Sequence, residues 1–314
     1  MFSLSSSSSK VGSGSGESSE FIRVEKAQAL CRQFLNNSDA DAAAFAILDF
    51  KTGEFQSFCE SEINDPIWFD LASLTKPLTN GYVALKEKDK LSEFDSILNH
   101  KAGLPAWAIL DRDHWKEHIL SFKSVDSETL YSDLSALRFM LEAQKKLAIE
   151  YRDYLYKFWK GRLKYWLDLE EDEVTLQNGY YKSKPNFRSV HDPNAYNIKE
   201  PLSHAGVFGT IDGLAKVLLE FDQELNLLDF MQKAPRTSRF VGGFDTAEGE
   251  SLAGSGYPPL TFGHLGFTGT SVWISPEKKL GWILLTNSTK HYWFNKKELN
   301  DLRRSLGESV WKES

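Results

Sequence analysis

Strand-like runs stand at both ends of this 314-residue chain with a long helix-rich stretch between them, and that order restricts the fold more than any single motif does. Residues 43–48 and 54–59 form two short runs joined by Asp49-Phe50-Lys51-Thr52-Gly53, the composition of a hairpin turn. Near the other end, residues 239–244, 261–267, 271–274 and 282–286 are apolar or alternating between Gly, Pro and Asn punctuation, as successive antiparallel strands are. Helical spacing is read over 21–35, 71–88, 210–221 (with Asp212 in the first turn) and 295–311, with Pro77 tolerated in the first turn of its helix. Strands first and last with helices between predict an α+β fold, one antiparallel sheet flanked by helices and closed from both chain ends around an insertion. The expected division is a discontinuous sheet domain over 20–89 and 200–314, with a helical insert domain over 90–199. Residues 1–19, almost all Ser and Gly, are expected to be a disordered tail, because such a composition buries too little apolar surface to offset ordering entropy.

Several function classes are disfavoured. Lys plus Arg number 37 against 44 Asp plus Glu, a net charge of −7, which gives no basic footprint for nucleic acid. No run approaches the roughly 20 apolar residues of a membrane span, so no transmembrane segment is expected. The first residues show neither a basic nor an apolar signal region; the compartment reads as cytoplasmic on that basis, or periplasmic if a signal has been removed. Cys31 and Cys59 have no further Cys or His at metal-ligand spacing, and two lone thiols suit a reducing compartment or core filling. His114 and His118 share a helical face but lack a third ligand, so neither a metal nor a cofactor is expected.

The chemistry centres on Ser73-Leu74-Thr75-Lys76, an S-x-x-K element that sets a hydroxyl and an amine one helical turn apart. Ser7, Ser275 and Ser309 also have Lys three positions on, so the pattern alone is weak. Only Ser73 opens a mid-chain helix after strand-like sequence, where backbone N–H groups can stabilise an anion. A serine nucleophile also needs a base and an oxyanion hole. There is no G-x-S-x-G elbow, but Tyr131-Ser132-Asp133 follows, and later Gly263-His264-Leu265-Gly266-Phe267-Thr268-Gly269-Thr270.

In that order, S-x-x-K, Y-x-[ND], then [KH]-x-G, the chain resembles the penicillin-recognising serine hydrolases of the class C β-lactamase type, with their D-Ala-D-Ala carboxypeptidases and esterases. Residues 69–76, 97–105, 131–134, 203–208, 263–274 and 284–287 carry the resemblance in the family's order. It implies a β-lactamase/transpeptidase-like fold and an acyl-enzyme mechanism. Ser73 is the implied nucleophile, Lys76 helps to deprotonate it, and Tyr131 shares general-base duty and then protonates the leaving group. The implied oxyanion hole is the backbone N–H groups of Ser73 and Phe267. Asp133, His264, Gly266 and Thr268 are the implied substrate-binding residues. A cation beside Tyr131 or Lys76 is expected to bring a pKa toward the working range.

The chain also departs from the family pattern. Leu265 stands where Thr or Ser is usual and removes a hydroxyl from the carboxylate grip, while His264 supplies charge only when protonated, so carboxylate binding is expected to be weak and pH-sensitive. Asp133 replaces Asn; it can hold Lys76 as a cation but cannot donate to a substrate carbonyl. These changes predict a serine hydrolase of ester or peptide carbonyls, possible D-Ala-D-Ala type included, with weak or no β-lactamase activity. The expected partner is a small-molecule, ester or peptide substrate, cell-wall peptide among them. The alternative is an impaired family member serving as a binding or regulatory module. The stretch between Lys90 and Ile97 is short for the family, which predicts a more open cleft mouth. Lys51-Thr52-Gly53, a literal K-T-G, reads as turn chemistry. The aromatic-basic stretch Tyr151 to Trp166, with the acidic turn after it, reads as helix packing, a glycan or peptide groove being the alternative. The segment 190–195 and His204 are expected to shape the cleft wall.

Overall fold

The computed structural model describes residues 16–291 and 296–312. Seven antiparallel strands form the main sheet, in the order β2-β1-β13-β12-β11-β10-β9. β1 (Ala42–Asp49) pairs on one side with β2 (Glu54–Ser61) and on the other with β13 (Leu280–Thr286). β9 (Phe240–Val241), β10 (Phe244–Thr246), β11 (Phe262–Leu265) and β12 (Ser271–Ser275) complete it. The run expected over 239–244 is split by a turn at Gly242 and Gly243, both with positive φ, into the hairpin β9–β10.

Alternation along the strands explains the layers. Ala42, Ala44, Ala46 and Leu48 face one core with Val272, Ile274, Ile283 and Leu285, under the helix Ile211–Leu225 and the insert. Ala43, Phe45 and Ile47 face a second core with Trp273, Trp282 and Leu284. That side is covered by the helices Gly16–Asn36 and Lys297–Lys312 through Ala27, Cys31, Phe34, Leu302, Leu306 and Val310. A strand buried on both faces reads as an unbroken apolar run, which is why Ala42 to Leu48 carries no polar alternation. The first helix begins at Gly16, inside the segment expected to be tail; residues 1–15 lie outside the described residues.

A four-stranded sheet, ordered β4-β8-β3-β5, joins the insert to its flanks. β3 (Ile67–Asp70) and β8 (Val207–Gly209) belong to the flanks, while β4 (Leu163–Tyr165) and β5 (Val174–Thr175) lie within 90–199. Residues 90–199 thus hold strands as well as helices, among them the hairpin of β6 (Tyr180–Tyr181) and β7 (Lys184–Pro185). Lys51-Thr52-Gly53 sits in the β1–β2 turn with Gly53 at φ +76°. Tyr151, Trp159 and Tyr165 are buried, so most of the aromatic stretch is packing and not a groove. His114 and His118 are exposed, and the described residues hold no metal-ligating cluster. No helix among them is long and apolar enough to cross a membrane.

Candidate active site

β3 ends at Asp70 and the chain turns abruptly into a 3-10 turn, Ala72–Leu74, followed by a π-helical turn, Pro77–Gly81, that Pro77 opens. The abrupt turn leaves Ala72 at φ +48°, a left-handed conformation strained for a residue with a Cβ. Asp70 supports it: its Oδ1 accepts the Ala72 N–H at 2.8 Å, and its Oδ2 accepts the His191 N–H at 2.7 Å and the Asn178 amide at 2.6 Å. Burial pushes the Asp70 carboxyl up to about 6 against the pull of those three donors.

One turn on from Ser73, the Lys76 side chain is buried and its Nζ donates to Ser73 Oγ at 2.9 Å and to the His204 carbonyl at 2.9 Å, and pairs with Asp133 Oδ1 at 2.7 Å. Asp133 reaches it because Tyr131-Ser132-Asp133 opens the helix Asp133–Leu147. Ser132 is the N-cap, accepting from the Ser135 N–H at 2.9 Å and donating to the Pro105 carbonyl at 2.6 Å. His100, itself at φ +58°, braces the segment: its Nδ1 accepts the Ser132 N–H and its carbonyl the Leu130 N–H. The Tyr131 hydroxyl interacts with both Ser73 and Lys76, and the Lys76 ammonium lies 5.0 Å from the centre of the Tyr131 ring. The structure therefore brings Ser73, Lys76, Tyr131 and Asp133 together.

The proton inventory differs from the sequence expectation. Burial opposes the Lys76 ammonium, but the Asp133 carboxylate beside it outweighs burial and holds Lys76 above its ordinary pKa. Burial likewise raises Tyr131, and the Lys76 cation offsets this only in part. The resting centre is thus a neutral Ser hydroxyl, a Lys ammonium, a neutral phenol and a carboxylate, with no pKa brought down toward neutrality.

His264, on β11, is 3% exposed, and its Nδ1 donates to the Leu265 carbonyl at 2.8 Å. Burial, with the nearby Lys76 charge, pushes its pKa down to about 3, so it carries no charge above pH about 4. His264 is therefore a neutral imidazole throughout the physiological range. Thr268 is buried and its hydroxyl donates to the Asp70 carbonyl at 2.7 Å, which ties the loop to the end of β3.

Thr270 does the same one residue further along, donating to the Leu71 carbonyl at 3.0 Å. Together the two hydroxyls pull the 266–270 loop, which carries the Phe267 amide, onto the segment that precedes Ser73. Buried Arg303 grips the loop from behind through the carbonyls of Gly266 and Thr270 and the Ser271 hydroxyl. Gly266 must be glycine for this approach, since a Cβ there would lie 1.8 Å from Thr270 Oγ1 and 2.8 Å from the Leu71 carbonyl. Gly266→Ala is expected to push the loop away from Ser73 and lower kcat/KM by on the order of 100-fold, a displacement effect read by steady-state kinetics on a folded variant.

Sequence reasoning missed His100, Asp70 and the Asp192–His204 pair as supports. The His204 Nε2 donates to Asp192 Oδ1 at 2.8 Å while its carbonyl holds Lys76. Their proximity was signalled only by the resemblance of residues 190–195 and 203–208 to cleft segments. Backbone carbonyls carry no sequence signature.

An antiparallel sheet between helical layers, with a Ser–Lys pair opening a helix beside it, is the architecture of the penicillin-recognising serine hydrolases. A family model described as Beta-lactamase matches residues 94–304, beginning downstream of Ser73 and Lys76. The chain belongs to that family of serine hydrolases. No curated protein matches it. Among solved structures it is similar to a class C β-lactamase mutant (12% identity, TM-score 0.67, covering 91% of this chain and 97% of that one). It is also similar to SurE with D-Leu (13%, 0.64, 90% and 74%). A third is the β-lactamase/D-alanine carboxypeptidase of Pseudomonas syringae (12%, 0.63, 91% and 98%). At these identities the likeness establishes the fold.

Proposed function

We propose that the chain hydrolyses neutral acyl esters through an acyl-enzyme on Ser73, and that a carboxylate-terminated peptide of the D-Ala-D-Ala type is a poor substrate. One observation carries the reading: Ser73 Oγ is hydrogen-bonded to a buried ammonium that Asp133 neutralises and that lies against the Tyr131 ring.

In the reaction, Tyr131 loses its proton to solvent and the phenolate, steadied by the Lys76 ammonium, takes the Ser73 proton as Oγ bonds to the ester carbon. The carbonyl oxygen becomes an oxyanion facing the amides of Ser73 and Phe267. Collapse breaks the carbon–oxygen bond to the leaving group, which takes the proton from Tyr131. Water then attacks the acyl-Ser73 ester by the same proton path, releasing the acid and restoring the hydroxyl.

The preference for uncharged substrates rests on what the neighbouring groups already do. His264 is neutral, Leu265 has no hydroxyl, the hydroxyls of Thr268 and Thr270 serve backbone carbonyls, and Lys296 Nζ donates to the Phe267 carbonyl at 2.6 Å. Asp133 keeps the Lys76 charge compensated. A substrate carboxylate would find in this set only Lys296, already held by the Phe267 carbonyl and with its charge disfavoured by burial, and would face a desolvation cost.

The test is twofold. Intact mass after incubation with a fluorophosphonate should show one adduct, and a short nitrophenyl ester should turn over faster than a matched ester bearing a terminal carboxylate. Absence of any adduct from folded protein would remove the enzyme reading; faster turnover of the carboxylate ester would remove the specificity. Rapid nitrocefin hydrolysis with short esters ignored would also overturn it. A pH profile supplies a further check. Because the Tyr131 pKa lies above 10, the phenolate fraction grows tenfold per pH unit, so log kcat/KM should rise with slope near one between about pH 6 and 9. A bell centred near pH 6 would contradict this proton path.

A further inference from the structure

Between the helices Tyr82–Lys86 and Leu227–Lys233 and the hairpin β9–β10 lies a cavity of about 700 Å³. Its described wall contains none of Ser73, Lys76, Tyr131 and Asp133 and nothing of the 264–270 loop, so it is a separate space from the cleft. Three segments that support the centre nevertheless form parts of that wall. Gly81 closes the π-helical turn that follows Lys76. Asn99 and Lys101 line the cavity on either side of His100, whose ring lies 4.9 Å from that of Tyr131 and whose Nδ1 accepts the Ser132 N–H. Phe240 lines it too and stacks on Tyr131 at 5.5 Å and 23°. Asn99 Oδ1 accepts the Gly243 N–H at 3.2 Å and so fastens the second segment to the third. An occupant would rest against the supports of Lys76 and Tyr131 without entering the cleft.

The lining chemistry narrows what fits. Leu85, Leu98, Leu227, Phe230 and Phe244 join Phe240 in an apolar wall. The charged lining residues are Lys88, Lys101, Lys233, Asp95 and Asp229. Asp229 is answered by Lys233 at 2.7 Å, which leaves Lys88 and Lys101 against Asp95 and the cavity with a surplus of one positive charge. That surplus runs against the −7 of the whole chain. Burial raises the Asp95 carboxyl above its ordinary pKa and Lys88 draws it back, so Lys88 already answers this acid in part. Lys88 Nζ also stands 5.2 Å from the centre of the Phe230 ring, a cation set directly on the apolar wall. Lys101 Nζ has no hydrogen-bond or ion-pair partner among the described residues. A polyol would leave hydroxyls unmatched on the rings, and a dication would meet the surplus charge. A single anionic head on an apolar body satisfies both parts of the lining, and the volume is that of sites that enclose drug-sized molecules.

We propose that this cavity is a second ligand site, apart from the Ser73 cleft, and that it binds an alkyl or arylalkyl monocarboxylate with its body against Phe230, Phe240 and Phe244 and its carboxylate at Lys88 and Lys101. Binding is read without turnover, so this site stands or falls separately from the acyl-ester reading.

The experiment is a calorimetric titration of the full chain with naphthylacetate and with its neutral isostere naphthylacetamide, in wild type, in the double variant Lys88→Met with Lys101→Met, and in Ala84→Trp, which places an indole in the cavity. Wild type should bind the acid one-to-one and the amide about fivefold more weakly, the size of two partly exposed charge contacts. The double variant should bind acid and amide alike, because the charge preference resides in those two lysines. Ala84→Trp should abolish binding of both. Lys88 is exposed and Lys101 half-buried, so the double variant keeps the test open if Ala84→Trp does not fold. Absence of saturable binding of the acid to wild type overturns the site, as does equal affinity of wild type for acid and amide. A charge preference that survives in the folded double variant, or binding that survives in folded Ala84→Trp, locates the acid elsewhere and overturns it too.

Discussion

Ser73→Ala should abolish fluorophosphonate labelling and lower ester kcat/KM by up to about 10^6-fold, while the variant melts within a few degrees of wild type. The small stability effect follows from the geometry. The Ser73 hydroxyl is one of three partners of Lys76, and the Asp133 carboxylate and His204 carbonyl remain when it is removed. The large kinetic effect follows because no other described Ser-Lys pair has this setting. Ser275 lies in the β12–β13 turn, where its Oγ accepts the Lys278 N–H, and Ser309 is buried in the last helix, where its hydroxyl donates to the Leu306 carbonyl. Ser7 falls outside the described residues. Retained labelling in Ser73→Ala, located by peptide mapping, would transfer the nucleophile elsewhere.

Asp133→Ala is expected to be costly in both stability and activity. Lys76 is almost fully enclosed and Asp133 is its one carboxylate partner at hydrogen-bond distance among the described residues. Removing one member of a buried pair strands the other, at about 3 kcal/mol with Asp133 partly exposed, which corresponds to a Tm lower by roughly 6–12 °C. Loss of the carboxylate also lets burial act unopposed on Lys76, whose pKa then falls. The cation that steadies the Tyr131 phenolate is lost at progressively lower pH, so the alkaline rise of kcat/KM should be cut short. Combining Asp133→Leu with Lys76→Met removes both charges and should restore most of the melting temperature without restoring turnover. Equal Tm values for wild type and Asp133→Ala would show that the pair contributes nothing to folding.

How much of this was legible in the chain depends on which atoms carry the information. The sheet was legible because strands buried on both faces write themselves as short unbroken apolar runs, as in the runs that became β1, β12 and β13. The spacing of Ser73 and Lys76 set hydroxyl and amine one helical turn apart, and the resemblance to the family's motif order added Tyr131 and Asp133. The electrostatic state was not legible. That His264 is neutral follows from a backbone carbonyl and from burial, neither of which is a residue type. Thr268 has the right hydroxyl in the right triplet neighbourhood, but the carbonyl it serves, that of Asp70, stands 198 positions earlier. The aromatic stretch Tyr151 to Trp166 and the tyrosines 180, 181 and 196 look alike as composition. Only three-dimensional packing separates rings buried in a core from rings facing a cavity.

The pairing of β1 with β13 has a consequence for how the molecule is made. A ribosome delivers Ala42 to Leu48 well before Leu280 to Thr286, so over the interval between them β1 has a neighbour on its β2 side alone. Its other edge is an unpaired row of backbone donors and acceptors flanked by apolar side chains, the type of edge that recruits foreign strands. The nascent chain thus passes through a long interval in which this apolar edge waits for its partner, and yield in a cell depends on how well that edge is shielded in the meantime.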